Sequence, residues 1–465
     1  MPFRLVTPEE ERPREKRVLN RSSQLKKSII SAVFLVLTGP CANAQSTTDA
    51  PGSAQPVAPV SPAISIEDLN FRGGDAVMPP FSESVIDVNS GFRRRLFSKG
   101  LALRLISSTQ FAQDVLKPPV AADQQAFVGD RQYESVLKHL ILTSDLRQMG
   151  LHHAQLHVSG DWNWASWEPA GPKTLELWSL NVYKEFGQDR VEVKAGYNSN
   201  DLEFVGMQVG GSTASGVQGV YAVLPYEVGM AYFPLTAPQF NLLIHGPRHT
   251  YVKSSAQRSL DSGGGPATEA RNHSGLRFDP KGDKLLAIEE AGYRRASSAT
   301  NNETWFRAGY MRNSTLYVNQ ANGNKEPGNH AAFALMDYQL TRPDPLKPWQ
   351  GLYIGGSAMS AASKFNPYDR YFEARLYKMA PFQRRQGDVA SILSTYTGHS
   401  KFFTNPLVAS GKSVWRNSGS VTGSYNIHLA PGNFLSLGLS YIRGAAITPR
   451  VKDSATFAAG YSVFF

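Results

Sequence analysis

Five charged residues stand where an extended chain would set them beside one another: Glu192 and Lys194 in VEVKAG, Glu373 and Arg375 in FEARLY, and Arg307 between Phe306 and Ala308. Residues two apart on a strand share a face, so each pair presents an acid and a base to the same side. Carboxylates accept hydrogen bonds, while guanidinium and ammonium groups donate them. Such a face can hold the hydroxyls of a neutral solute, or it can simply solvate and cross-brace a wet surface. Trp162, Trp164 and Trp167 cluster in DWNWASW. They could stack on the apolar C–H faces of sugar rings or form an interfacial aromatic belt. His152, His153 and His157 suggest a metal, and His153 and His157 would share a strand face. No carboxylate cluster accompanies them, so a structural or solvated role is expected, with no metal and no cofactor. No G-x-S-x-G nucleophile and no phosphate loop stands out, so no catalytic residue and no enzyme activity is expected.

The elements that must position these residues read as strands. Val191, Val193, Ala195 and Tyr197 alternate with Glu192, Lys194, Gly196 and Asn198; Leu435, Leu437, Leu439 and Tyr441 alternate with Ser436, Gly438 and Ser440; Phe372, Ala374 and Leu376 alternate with Glu373, Arg375 and Tyr377. Helical periodicity is scarce, and each run has about the nine to eleven residues that a tilted strand needs to cross a bilayer. Short turns at Gly187-Gln188-Asp189 and Pro431-Gly432-Asn433 are separated by longer polar stretches at Ser254 to Asp283, Asn313 to His330 and Thr404 to Ser420. That rhythm suits a meander with short turns at one end and long loops at the other. A two-sheet sandwich has no reason to keep it.

The last strand, ATFAAGYSVFF, places Phe457, Ala459, Tyr461, Val463 and Phe465 on one face. Inside hydrocarbon every backbone polar group must be paired within the protein, so a sheet can span only if it closes and leaves no edge. The fold class expected is therefore all-β: a transmembrane antiparallel β-barrel of the outer-membrane porin type, with about 16 strands. Counting from Tyr133 gives 16 or 17, with an overcount suspected between Asn200 and Phe240. Phe457, Tyr461, Val463 and Phe465 would lie at the closing seam and serve as the outer-membrane assembly signal read by the barrel-assembly machinery.

The 465 residues are 41% hydrophobic and 18% charged, which excludes a disordered chain. Ser28 to Leu37 is apolar but too short for a membrane helix; with Lys26 and Lys27 before it and Ala42-Asn43-Ala44 after it, it reads as a signal peptide cleaved before Gln45. Residues 1–44 are thus a leader with an extended n-region, which holds Cys41, the single cysteine. Pro40 before that cysteine argues against a lipid anchor. Losing the leader removes eight Lys/Arg and four Asp/Glu and lowers the formal charge from +10 to +6. No basic run with interleaved aromatics remains, so no nucleic-acid partner is expected. Residues 45–63 form a flexible Pro/Ala/Ser-rich tail, 64–132 a periplasmic or plug-like lead-in, and 133–465 the barrel. An adhesin and an outer-membrane barrel enzyme are the rivals from other classes.

Several stretches resemble the carbohydrate-selective porins of the OprB type: LHHAQLHVSGDWNWAS (151–166), VEVKAGYNSNDLEFVGMQVGGS (191–212), VYAVLPYEVGMAYFPLTAP (220–238) and RRQGDVASILSTYTGHSKF (384–402). The resemblance implies a 16-stranded outer-membrane barrel through which neutral sugars diffuse passively, with outer-membrane lipids as its surroundings. It also implies an inward-folded loop, by position within Ser199 to Gly219, and it marks Glu203 as a family landmark in that loop. SYIRGAAITPR (440–450) departs from the family's usual pattern near the C-terminus. A general or weakly anion-preferring porin is the alternative within the class.

Overall fold

The structure is a computed structural model that describes residues 65–75, 78–87, 90–118, 132–166, 175–187, 189–201, 203–205, 224–233, 235–272 and 274–465. The expected leader, the Pro/Ala/Ser tail, Trp167 and most of the expected inward loop lie outside the described residues.

Sixteen strands close into one antiparallel barrel. In chain order they begin with β1 (Leu101–Asp114), β2 (Tyr133–Asp145), β3 (Ala154–Ala165), β4 (Leu175–Phe186) and β5 (Val191–Asn198). β6 (Ala237–His245), β7 (Thr250–Arg258), β8 (Leu285–Arg295) and β9 (Thr304–Asn313) follow. A small separate hairpin, β10 (Tyr317–Val318) and β11 (Lys325–Glu326), lies outside the wall in the connection that leads from β9. The barrel resumes with β12 (Asn329–Gln339), β13 (Gly351–Ala361), β14 (Tyr368–Met379) and β15 (Val389–His399). It ends with β16 (Asn417–Ala430), β17 (Asn433–Arg443) and β18 (Ser454–Phe464). β18 pairs with β1 from Ile106↔Phe464 to Asp114↔Thr456. The Phe465 N–H donates to the Leu105 carbonyl at 2.8 Å and carries the seam to the end of the chain.

The burial pattern is inverted relative to a soluble protein. Ile392 is 58% exposed, Leu439 52% and Phe372 50%, whereas Arg375 and Asp337 are each 3% exposed and Thr422 2%. Large apolar side chains cover the outside and polar ones line the bore, which is the partition a lipid-embedded barrel requires. Among the described residues no helix is long and apolar enough to cross a membrane.

The wall starts earlier than the expected Tyr133: β1 lies inside the segment read as a lead-in. Leu101, Leu103 and Leu105 do alternate, but Ser107 and Thr109 break the apolar face, and Arg93-Arg94-Arg95 belongs to the short helix Gly91–Phe97 that precedes the strand. The suspected overcount also has its cause, since between Asn200 and Phe240 the described residues contribute only the start of β6. Strand ends differ slightly from the expected loop limits: Ser254 to Arg258 belong to β7, Asn313 ends β9, His330 lies in β12, and Asn417 to Ser420 open β16. The rhythm of long and short connections holds except around β13, where 340–350 is long for the short-turn end and 362–367 short for the other.

Two non-barrel segments enter the bore. Residues 65–75 and 78–87 enter from the short-turn end, where the Val85 N–H donates to the Phe464 carbonyl at 2.8 Å and Phe81 lies over the guanidinium groups of Arg104 and Arg93 at 4.3 and 4.9 Å. Deeper in, Phe71 packs on His157 and Trp178 at ring distances of 4.3 and 5.1 Å. From the long-loop end, Asn200, Asp201, Glu203 to Val205 and Leu224 to Tyr232 fold inward. Phe204, Leu224, Val228 and Met230 pack against Leu286, Ile288, Met311, Phe333 and Tyr371 of the wall.

Candidate functional site: a charged junction in the bore

β5, β7 and β9 all start at the short-turn end, and their fourth residues are Lys194, Lys253 and Arg307. At about 3.3 Å per residue these cations stand roughly 10 Å inside that end. All three are almost fully buried. Lys194 pairs with Glu203 of the inward segment and also donates to the Gly73 carbonyl of the N-terminal segment. Lys253 repeats the arrangement one strand pair away, donating to the Glu203 carbonyl at 2.9 Å and to Asp75 at 2.5 Å. Arg307 donates to the other oxygen of Asp75 at 2.8 Å, and Glu290 lies 3.9 Å from Arg307 and 4.0 Å from Lys253. Two wall lysines therefore each tie both inserted segments to the barrel.

Local sequence explains why the segments can approach so closely. Gly73 sits at φ +76, and a Cβ there would lie 2.7 Å from the Tyr183 ring. Only glycine supplies that backbone conformation at that distance without strain. Burial raises the proton affinity of Asp75, but the Lys253 and Arg307 cations beside it outweigh burial and hold its carboxyl below the usual value. Glu203 also accepts from Asn198 at 2.9 Å and Asn241 at 2.6 Å. Glu192 faces a recess next to this junction, where it accepts from the Tyr183 hydroxyl and pairs with the His245 ring, both at 2.7 Å. Tyr183, Glu192, Lys194, Glu203, His245 and Arg294 all line that recess.

A second charged group stands on β12 to β14. The Arg375 Nη2 reaches Asp337 at 2.7 Å and its Nη1 pairs with Glu373, while the Tyr371 hydroxyl donates to Glu373 at 2.6 Å and that of Tyr377 to Asp337 at 3.1 Å. Gly355 pairs with Asp337 on one side and Arg375 on the other. A Cβ on it would fall 2.4 Å from both partners, so its missing side chain opens the gap that the ion pair spans.

The ring order sets β17 eight strands from β7 in either direction, so β15 to β1 form the opposite wall. That wall carries cross-strand hydroxyl pairs: Ser391 with Ser424 at 2.5 Å, Thr395 with Ser420 at 2.7 Å, and Thr422 with Ser440 and Ser108 with Ser462 at 2.8 Å. Each such pair shares one proton and keeps further donor and acceptor capacity.

Glu192, Lys194, Glu203 and Arg307 are thus brought together through Lys253 and Asp75, whereas Glu373 and Arg375 stand apart with Asp337. Sequence reasoning missed Asp75, Lys253, Glu290 and Asp337. Ser254 beyond Lys253 and Glu289 before Glu290 put polar residues on both faces and blur the alternation, and Asp75 lies in a Gly-rich stretch with no periodicity. Trp162 and Trp164 point outward, 43% and 36% exposed, near the long-loop end of β3. His153 does not share a strand face with His157; it sits in a turn at φ +55, while the His157 ring bonds to Asn181 and Gln155 in the bore. Among the described residues no group of three or more His, Cys, Asp or Glu could hold a metal.

A closed barrel, apolar outside and polar within, with segments folded into its bore, is a porin. The sequence profile of the carbohydrate-selective porin OprB family matches residues 120–460, and the chain belongs to that family. Two solved structures of OprB from Pseudomonas putida share the fold. The one at high pH has a TM-score of 0.70 at 15% identity, and the one at low pH 0.53 at 12%; each comparison covers 83% of this chain and 99% of the other. No curated protein matches the chain by sequence. Family and fold together mark a carbohydrate-selective porin of a Gram-negative outer membrane, a channel that sugars cross among membrane lipids.

Proposed function

We propose that the channel works by passive diffusion of neutral sugars, without covalent chemistry, cofactor or energy source, and that its short-turn end faces the periplasm. Residues 1–44 are removed on export as a signal peptide, and the outward aromatic face of β18 is read by the barrel-assembly machinery. The observation that carries this reading is the cross-pairing of charge. Lys194, Lys253, Arg307 and Arg375 each meet a carboxylate within the bore. Paired charges and hydroxyls offer many donors and acceptors with little net field, which favours polyhydroxylated neutral solutes over ions of either sign. Contacts of that kind bind loosely enough to release, so flux is saturable.

Glu192, Lys194 and Glu203 with Tyr183 form the proposed sugar contact on the charged side, with Arg307, Glu373 and Arg375 as further bore-lining contacts. Trp162 and Trp164 serve the interfacial girdle, as their outward direction supports. Proteoliposome swelling tests the selectivity: neutral mono- and disaccharides should enter faster than salts and amino acids of equal size. Equal rates for all would reduce the protein to a general diffusion porin, and preferential entry of anionic solutes would make it an anion channel.

A further inference from the structure

We propose that Asp75 sets the ion selectivity of the bore as a removable counter-charge, carried into the channel by the N-terminal segment rather than built into the wall. The inference deepens the sugar-channel reading and rests on it only for the benefit that neutrality brings.

The barrel strands place Lys253 and Arg307 near the wall carboxylate of Glu290, at 4.0 and 3.9 Å. Asp75 comes closer to both, at 2.5 and 2.8 Å, with one oxygen for each cation, and it is 7% exposed. The nearest counter-charge to these two cations is therefore a residue that belongs to no strand. Its segment is held by the packing of Phe71 on His157 and Trp178 and of Phe81 on Arg104 and Arg93, and by polar bonds. The Arg72 guanidinium donates to Glu185 at 2.9 Å, the Gln155 amide donates to the Asp68 carbonyl at 2.6 Å, and the Asn70 amide folds the segment on itself by donating to the Met78 carbonyl at 3.1 Å. None of these contacts belongs to the barrel ladder, so the charge of Asp75 can be removed without breaking a strand pair. Without Asp75 the bore gains one net positive charge beside the path, which attracts anions and repels cations.

Reversal potentials of the full-length protein in planar bilayers under a potassium chloride gradient read this directly. At roughly 5 Å in water one unit charge changes the local concentration of each ion about four-fold, in opposite senses for anion and cation. Asp75→Asn should raise the chloride-to-potassium permeability ratio at least that much. Lys253→Gln should lower it, and the double variant should return it toward the wild-type ratio. A ratio unchanged in both single variants, with folded barrels confirmed by heat-modifiable migration, would overturn the proposal. Should Asp75→Asn fail to assemble, the Lys253→Gln shift decides alone. Sugar swelling of the wild-type protein is scored separately: if sugars fail to enter while the permeability ratio moves as described, the sugar reading falls and the counter-charge stands.

Discussion

Replacing Glu203 by Gln removes the charge at which the inward segment, β5 and β6 meet. In the wild type this carboxylate pairs with Lys194, itself 3% exposed, and accepts from Asn198 and Asn241 at 2.9 and 2.6 Å. Breaking one side of a buried ion pair costs roughly 3–5 kcal/mol. A hydrogen bond to a charged acceptor contributes roughly 1.5–3 kcal/mol. The amide of Gln keeps one accepting oxygen, and bore water can re-solvate Lys194, so the net loss should be about 3 kcal/mol. Denaturant titration of the folded barrel in detergent measures it. A double-mutant cycle with Lys194→Met isolates the pair and should return a coupling of about 2–3 kcal/mol. Single-channel conductance of Glu203→Gln should rise, because the inward segment loses a wall anchor. A coupling below about 0.5 kcal/mol with unchanged conductance would refute the reasoning, since residues in one network should not be additive.

Glu227, in the inward-folded helix Leu224–Glu227, has its carboxyl pushed up to about 7 by burial. A raised folded value means the native state holds the proton more tightly than the unfolded chain. Stability therefore falls as pH climbs from the ordinary carboxylate value to about 7 and is flat above it; Glu227→Gln should abolish that slope and gain about 3 kcal/mol at pH 8 in a denaturant titration. Replacing Trp162 and Trp164 by Ala should leave sugar swelling rates unchanged while lowering the midpoint of thermal unfolding in bilayers; a fall in sugar flux from a fully folded variant would instead favour an entry platform. Substituting Phe465 by Ser should slow assembly of the barrel in outer-membrane vesicles without altering the conductance of the fraction that folds, whereas an unchanged assembly rate would remove the signal role.

The barrel was legible because its chemistry repeats. Val191 to Asn198 and Phe372 to Tyr377 put apolar and polar groups on opposite faces, and the structure turns those faces to lipid and bore as the period of two requires. Lys194, Arg307, Glu373 and Arg375 could be assigned inward from one-dimensional spacing alone. Their partners could not, because pairing across strands depends on register and on which segments enter the lumen. Asp337 reaches Arg375 only over the bare backbone of Gly355. Asp75 meets Arg307 across a separation of 232 residues. β1 was obscured because a bore-lining strand with Ser107 and Thr109 on its outer face reads as an ordinary polar segment, and the plug-like possibility for its predecessor carried no periodic signature.

The proposed transport requires a continuous wet bore that neutral sugars enter and leave. Current through single channels in planar bilayers, recorded while a monosaccharide is titrated, tests it most directly. Passive, saturable sugar diffusion predicts an ohmic conductance that falls saturably as sugar occupies the junction, with equal-sized amino acids causing little change. Purified, folded protein that shows no conductance, or a conductance indifferent to every sugar up to the limit of viscosity effects, would contradict it.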